Sequence, residues 1–382
     1  MRHTWLYVGA ASLLVLGSGC GSSGGNSGAA GSGGTSGSGG STGGSGGSSA
    51  SGGTSGTGAG GSAGSGGSGA GGSAGSGAGG IAAKYPGDVG IGQDPDVIWV
   101  ENFEEGSVGA VTGRYDDHKN SPGMALVSDV PAKSGGKASM KLTASGNGAN
   151  ATDFYKKLAP GYEELYVRYY AKYQANVAWH HTGVWVGGYN PASKWPNPQA
   201  GLKPNGDDRF SVSLEPMEQG QDVRMDFYNY WMKMHSWMAQ PSGSTAYYGN
   251  SLVHLKSLQA SGDKWMCIEL HIKLNPSGAN GKGAELGLWV NDQSVDQFSD
   301  TKPLGYWIRD KFCPTTANSS ECTNYPPASG TTMIPLDLQY RSTTALELNA
   351  FWPQNYITKA GASGSVWYDD MVVAKKRIGC LQ

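Results

Sequence analysis

Period-two alternation of apolar and polar residues dominates the chain beyond residue 80. From Leu165 to Tyr173 one face is Leu165, Val167, Tyr169 and Ala171, and the other is Tyr166, Arg168, Tyr170 and Lys172. From Arg209 to Glu215, Phe210, Val212 and Leu214 alternate with Arg209, Ser211, Ser213 and Glu215. In the next run Val223, Met225, Phe227 and Trp231 share a face, opposite Arg224, Asp226, Tyr228 and Tyr230. Each pattern predicts a half-buried strand. Ile268, Leu270, Ile272 and Leu274 predict another. Leu286 to Val290 and Val295 to Phe298 flank Asn291-Asp292 and read as a hairpin. Leu346 to Phe351 and Val366 to Ala374 complete the set, and no long stretch carries a helical period. The chain is therefore expected to be all-β, an antiparallel sandwich of the jelly-roll type.

Composition places that domain. Of 382 residues 63 are Gly, and 30 of these fall between Gly21 and Gly80, where only Ser, Ala, Thr and one Asn accompany them. Such a stretch cannot bury enough apolar surface to offset chain entropy and is expected to be a disordered linker, 21–80. It would span roughly 40–45 Å as a flexible coil. Residues 81–382 then form one domain, of a size that suits the concanavalin A-like lectin and glucanase jelly rolls with one concave sheet. Residues 1–20 read as an export signal: Arg2 and His3 precede the apolar run Trp5 to Leu16, too short to span a bilayer. Leu16-Gly17-Ser18-Gly19-Cys20 resembles a bacterial lipobox, with Cys20 the lipidated residue; a plain secretory signal cut near Gly19 is the alternative. A lipoprotein at the cell envelope or surface, touching membrane only through its anchor, is the expectation, and a monomer. Net charge is −2 with no basic run, which argues against a nucleic-acid partner.

Four further cysteines in an exported chain suggest two disulfides. Cys313 and Cys322 share one polar loop and are expected to pair, leaving Cys380 to tie the C-terminus to the Cys267 strand. No CxxC or HxxxH spacing supports a zinc site. Val97 to Glu104 opens the domain and Val366 to Val373 nearly closes it. Their acidic residues are either solvated strand ends or ligands of a structural Ca²⁺. The segment from Lys302 to Met333, with Tyr306 and Trp307, is either a stapled lid or a surface excursion. Trp352-Pro353-Gln354-Asn355-Tyr356 reads as a second loop.

Candidate chemistry gathers on the non-core faces of three strands. Were these neighbours on one concave sheet, Arg168, Tyr170, Lys172, Arg209, Ser211, Arg224, Tyr228 and Tyr230 would line a groove, with aromatic platforms for sugar rings and cations for carboxylates. Tyr166 would join them. The alternative for each is an ordinary surface residue. The run from Trp179 to Tyr189 adds His180, His181 and Trp185 among glycines.

His180-His181-Thr182-Gly183, Gly187-Gly188, Arg209-Phe210-Ser211-Val212-Ser213 and Tyr228-Asn229-Tyr230 together resemble polysaccharide lyases of family 14, jelly-roll enzymes acting on alginate or glucuronan. The likeness spans about Tyr166 to Tyr230 plus Trp367-Tyr368-Asp369-Asp370. His180 stands where that family carries Lys, and Ser213 where an Arg is expected. The resemblance implies β-elimination on a polyuronate, with Tyr228 or Tyr230 moving protons, His180 or His181 as base or carboxylate partner, Ser211 orienting, and no cofactor required. A non-catalytic carbohydrate-binding domain is the rival. Glu215 and Asp226 are the only weak candidates for a glycosidase pair, and no GxSxG elbow is present.

Overall fold

The computed structural model describes residues 80–382 apart from 149, 194–199, 218–221, 240–244, 254 and 277–280, together with the side chains at 222, 223, 238, 239 and 245. The export signal, Cys20 and all but the last residue of the linker lie outside the described residues, as does the side chain of Val223. Among the described residues no helix is long and apolar enough to cross a membrane.

Two antiparallel sheets pack face to face. The larger has eight strands in the order Gln293–Phe298, Glu285–Val290, Trp265–Lys273, Glu164–Tyr173, Ser363–Ala374, Ser139–Ser145 and Met124–Val127, with Val97–Glu101 pairing on part of Ser363–Ala374. The smaller runs Asp117–Lys119, Ala151–Tyr162, Leu348–Tyr356, His181–Tyr189 and Arg209–Val212. Beyond Arg209–Val212 the chain makes a second ladder, Leu214–Pro216 against Asp222–Phe227, while Tyr230 bridges to Ser211. The only α-helices among the described residues are the single turns Val108–Thr112 and Ser320–Asn324. The opening and closing strands pair with one another, and Asn291 and Asp292 both adopt positive φ at the tip of the expected hairpin.

The alternation seen in the sequence explains the core. Leu165, Val167, Tyr169 and Ala171 of the large sheet share one buried cluster with Val184, Val186, Phe210, Val212 and Phe351 of the small one and Leu214 of the second ladder. Each strand thus turns its apolar set inward and leaves its other face outside the sandwich. Both disulfides form with the expected partners, Cys267 with Cys380 and Cys313 with Cys322.

Two expectations are corrected. Glu164–Tyr173 is not a neighbour of Arg209–Val212; it belongs to the other sheet, so its polar face points away from any groove that the latter lines. That face is covered. Ile81, Ala82 and Ile91 pack on Val372, Ala374 and Ile378, and the C-terminal Cys380 and Leu381 pack on Tyr170. Arg168 is fully buried in an ion pair with Asp88, the Tyr170 hydroxyl accepts from the Leu381 amide at 2.8 Å, and Lys172 pairs with Asp129. None of the three is placed to meet a ligand of the small sheet. Second, Trp352 to Tyr356 is no loop but part of the central strand of the small sheet, with Pro353 opposite Val184. Proline is rare in such a position, which is why the segment reads as a turn. Of the acidic residues at the strand closure, Glu101, Asp369 and Asp370 are buried and so are not solvated strand ends. Glu101 accepts from the Phe103 amide and Arg114, and Glu104 from the amides of Lys137 and Ala138. The positive charge facing Asp369 and Asp370 is that of Arg168, while burial and then, for Asp369, its neighbour's charge push their carboxyls up. Among the described residues no three His, Cys, Asp or Glu side chains are arranged to hold a metal ion.

Arg168 therefore carries a structural role. Replacing it with Ala strands Asp88, and the expected cost is about 3–5 kcal/mol in urea unfolding. An Arg168→Ala protein as stable as the parent would show that the pair is not needed.

Candidate functional site

The outward face of the small sheet gathers the chemistry. Along His181–Tyr189, alternate residues His181, Gly183, Trp185, Gly187 and Tyr189 point out, beside Trp352, Gln354 and Tyr356 of the central strand. Gly183 and Gly187 serve packing here. A Cβ on Gly183 would lie 2.5 Å from the Leu214 carbonyl, and one on Gly187 2.2 Å from that of Phe210. Only glycine lets the 209–215 segment approach so closely.

That approach brings Glu215 beneath the next strand. Its side chain is 0 % exposed and both carboxylate oxygens are used. The Trp185 indole N–H donates to Oε1 at 2.6 Å, and His181 Nδ1 lies 2.9 Å from Oε2. A carboxylate only accepts, so it holds the His181 proton on Nδ1 and leaves Nε2 with a lone pair. The His181 ring sits 4.5 Å from that of Tyr228 and parallel to that of Tyr356 at 6.1 Å. The Tyr228 and Tyr230 hydroxyls are 3.3 Å apart. The Tyr228 ring lies on Gly249, where a Cβ would clash at 2.5 Å. Trp185 stands among His181, Tyr228, Tyr230 and Trp352, with ring centroids 5.9–6.4 Å away. The face is an aromatic floor with a histidine and a tyrosine hydroxyl set into it.

Burial governs the titration of these groups. It pushes the Tyr228 hydroxyl up to about 12, with the charges of Glu215 and Asp310 adding to the shift. Tyr230, more deeply enclosed and facing Tyr228, is driven up as well. Both tyrosine hydroxyls are thus raised, and neither is poised as a tyrosinate. His180 is exposed, packs on the His181 and Tyr356 rings, and meets the Thr358 hydroxyl at 3.2 Å. Desolvation and then the charge of His181 bring its imidazole down to about 4.

Of the residues expected from sequence, His180, His181, Trp185, Ser211, Tyr228 and Tyr230 come together. The Ser211 hydroxyl is buried in the floor without a hydrogen-bond partner. Arg209 shares this face but is held by Asp208 at 2.6 Å and the Leu202 carbonyl at 3.3 Å. Arg224 is engaged by Asp226 at 2.7 Å and by Glu321, next to Cys322, at 3.1 Å. The stapled 313–322 loop is thus tied to the 222–227 strand of the second ladder. Trp307 of the adjoining strand stacks on His235. Asp226 lies opposite Glu215 in register, yet one of its oxygens accepts from the amides of Phe227, Leu252 and Val253. Both carboxylates therefore hold structure and do not flank a bond as a glycosidase pair would. Glu215 was legible as a groove-facing residue from its spacing to Ser211 and Ser213, but not as the partner of His181. Tyr356 and Trp352 were legible only as loop residues. Two surface clefts, one at Tyr306, Trp307 and Tyr325 and one at Glu163, Lys273 and Arg341, lie away from His181 and Tyr228.

No family model matches the chain, and no curated protein is similar to it in sequence. Among solved structures, an alginate lyase Aly36B variant in complex with alginate tetrasaccharide is 12 % identical, covers 74 % of this chain and 95 % of its own, and has a TM-score of 0.44. A marine PL-14 alginate lyase from Aplysia kurodai is 13 % identical over 72 % of this chain and 98 % of its own, with a TM-score of 0.43. An endo-β-1,4-glucuronan lyase from the fungus Trichoderma reesei is 13 % identical over 68 % and 90 %, with a TM-score of 0.36. Likeness this distant transfers no residue roles, so the reading of the site rests on its own side chains.

Truncating Glu215 leaves the indole of Trp185 and Nδ1 of His181 without their acceptor. Glu215→Ala is expected to cost about 1–3 kcal/mol in chemical unfolding. The Trp185 indole N–H resonance should also move upfield in an NMR spectrum. An unmoved resonance would show that the carboxylate does not hold this ring.

Proposed function

We propose that the domain is a polysaccharide lyase-like protein that cleaves a polyuronate by β-elimination outside the cell. The observation that carries this is the buried Glu215 carboxylate orienting His181 directly against Tyr228. His181 Nε2 has the lone pair to remove the C5 proton. Tyr228, kept protonated by its surroundings, has the proton that the leaving O4 needs. Tyr230 holds the Tyr228 hydroxyl in place. The rings of Trp185, Tyr356 and Trp352 offer flat faces to successive sugars. Ser211 and His180 complete the floor and rim. No step in this scheme calls for a metal or an organic cofactor.

The export signal, an anchor at Cys20, the flexible linker and a monomeric domain belong to the same proposal. Two disulfides suit an oxidising compartment. A second reading, a carbohydrate-binding domain without turnover, is favoured by one observation: neither tyrosine has the lowered pKa of a tyrosinate base.

Unsaturated uronates absorb in the near ultraviolet, so incubation with polyuronates should raise absorbance. His181→Ala and Tyr228→Phe should each lower that rate by about 10²-fold or more while glycan retention in affinity gels persists. Tyr230→Phe should have the smaller effect. Retention without any rise in absorbance would establish the binding-domain reading.

A further inference from the structure

The large sheet carries an ordered row on its outer face. In register, Trp265 lies opposite Lys172, Lys172 opposite Trp367, and Trp367 opposite Lys141. Four adjacent strands thus set indole, ammonium, indole and ammonium side by side in one line across the sheet. The Lys172 ammonium stands 4.4 Å from the Trp367 ring centroid and 5.7 Å from that of Trp265. The Lys141 ammonium stands 5.1 Å from that of Trp367. Asp129 fixes one end, accepting from the Trp265 indole N–H at 2.9 Å and pairing with Lys172. The covering segments bury Arg168 and Tyr170, whereas Trp265, Trp367 and Lys141 are only half-buried. Two residues further along three of these chains lie the Thr143 and Ser365 hydroxyls, 2.9 Å apart, and the exposed Gln174, whose Oε1 accepts from the Ser365 amide at 3.0 Å.

Each part of this row suits an acidic glycan. Indoles present apolar surface to the C–H groups of a sugar. An ammonium held against a ring is already ordered, so pairing it with a carboxylate costs less side-chain freedom. The two indoles belong to strands two apart and so stand roughly 10 Å from one another. That is close to the repeat of two sugars in an extended 1,4-linked chain. A uronate chain laid along the row would meet an indole at every second sugar and an ammonium between. The hydroxyls and amide beside the row would face its remaining polar groups. We propose that this row is a second binding site for an anionic uronate polymer, on the sheet that does not carry His181 and Tyr228. It takes its ligand class from the lyase reading above, but none of its residues enters the elimination. Polymer held on this side raises the local concentration of its own free length at the other.

Titration of the whole chain with alginate and glucuronan oligosaccharides tests this, read from the tryptophan indole N–H resonances. Those of Trp265 and Trp367 should move saturably, and less so with added salt, because screening weakens attraction. Lys141→Glu should raise the ligand concentration at half-saturation roughly threefold or more. In that variant the Trp185 resonance should stay in place, which reports an intact fold. The variant should also lower retention of the polymers in affinity gels and leave any turnover of short oligosaccharides unchanged. Resonances that do not move, as in a row that only packs the sheet, overturn the inference and leave the lyase reading standing. Equal movement with neutral cello-oligosaccharides, or an unchanged titration in Lys141→Glu, overturns it as well. Movement at Trp265 and Trp367 with no rise in absorbance upholds the second site and ends the lyase reading.

Discussion

A carboxylate with no exposed surface must have its oxygens satisfied or lose its charge, and Glu215 meets that demand with the indole of Trp185 and the imidazole of His181. Both donors come from one strand, two turns of the pleat apart. The strand can deliver them only if it lies hard against the 209–215 segment, and the glycines at 183 and 187 make that possible. Once the two rings are fixed, Tyr228 has a surface to stack on, and Tyr230 follows through its bridge to Ser211. The aromatic floor is in this sense the outer consequence of one buried ion.

The same demand divides the molecule into two unlike faces. On the large sheet, Arg168 and Asp88 answer one another and are sealed under the segment that leads into the domain. On the small sheet, among the described residues, His181 keeps 19 % of its side chain exposed. Polar residues on strands of either sheet look alike in a sequence, because both alternate with core residues. What separates a structural arginine from a reachable one is the covering chain, and that is a matter of topology.

This explains what could be read without coordinates. The strands, the hairpin at Asn291-Asp292 and both disulfides follow from local pattern and cysteine spacing, and all are present. The inward sets of residues were likewise legible, since period two assigns them directly. Sheet membership was not, so Arg168, Tyr170 and Lys172 were grouped with residues from which the core separates them. Pro353 hid a central strand, because its missing N–H argues for a turn and only the partners on both sides override it. The tie between Glu215 and His181 joins residues 34 apart in sequence and leaves no local trace.

The two ends of the domain meet on the covered face. The amides of Ile81 and Ala82 donate to the carbonyls of Arg377 and Ile378 at 3.1 and 2.8 Å, and two residues later Cys380 is bonded to Cys267. Tension applied to the chain at residue 80 would therefore be taken up beside a covalent cross-link. It would enter the eight-stranded sheet and bypass the strands that carry His181 and Tyr228. Loads entering at residue 80 and at the small sheet would therefore fall on different sheets, so the geometry of the rings need not yield to a pull on the N-terminal end of the domain.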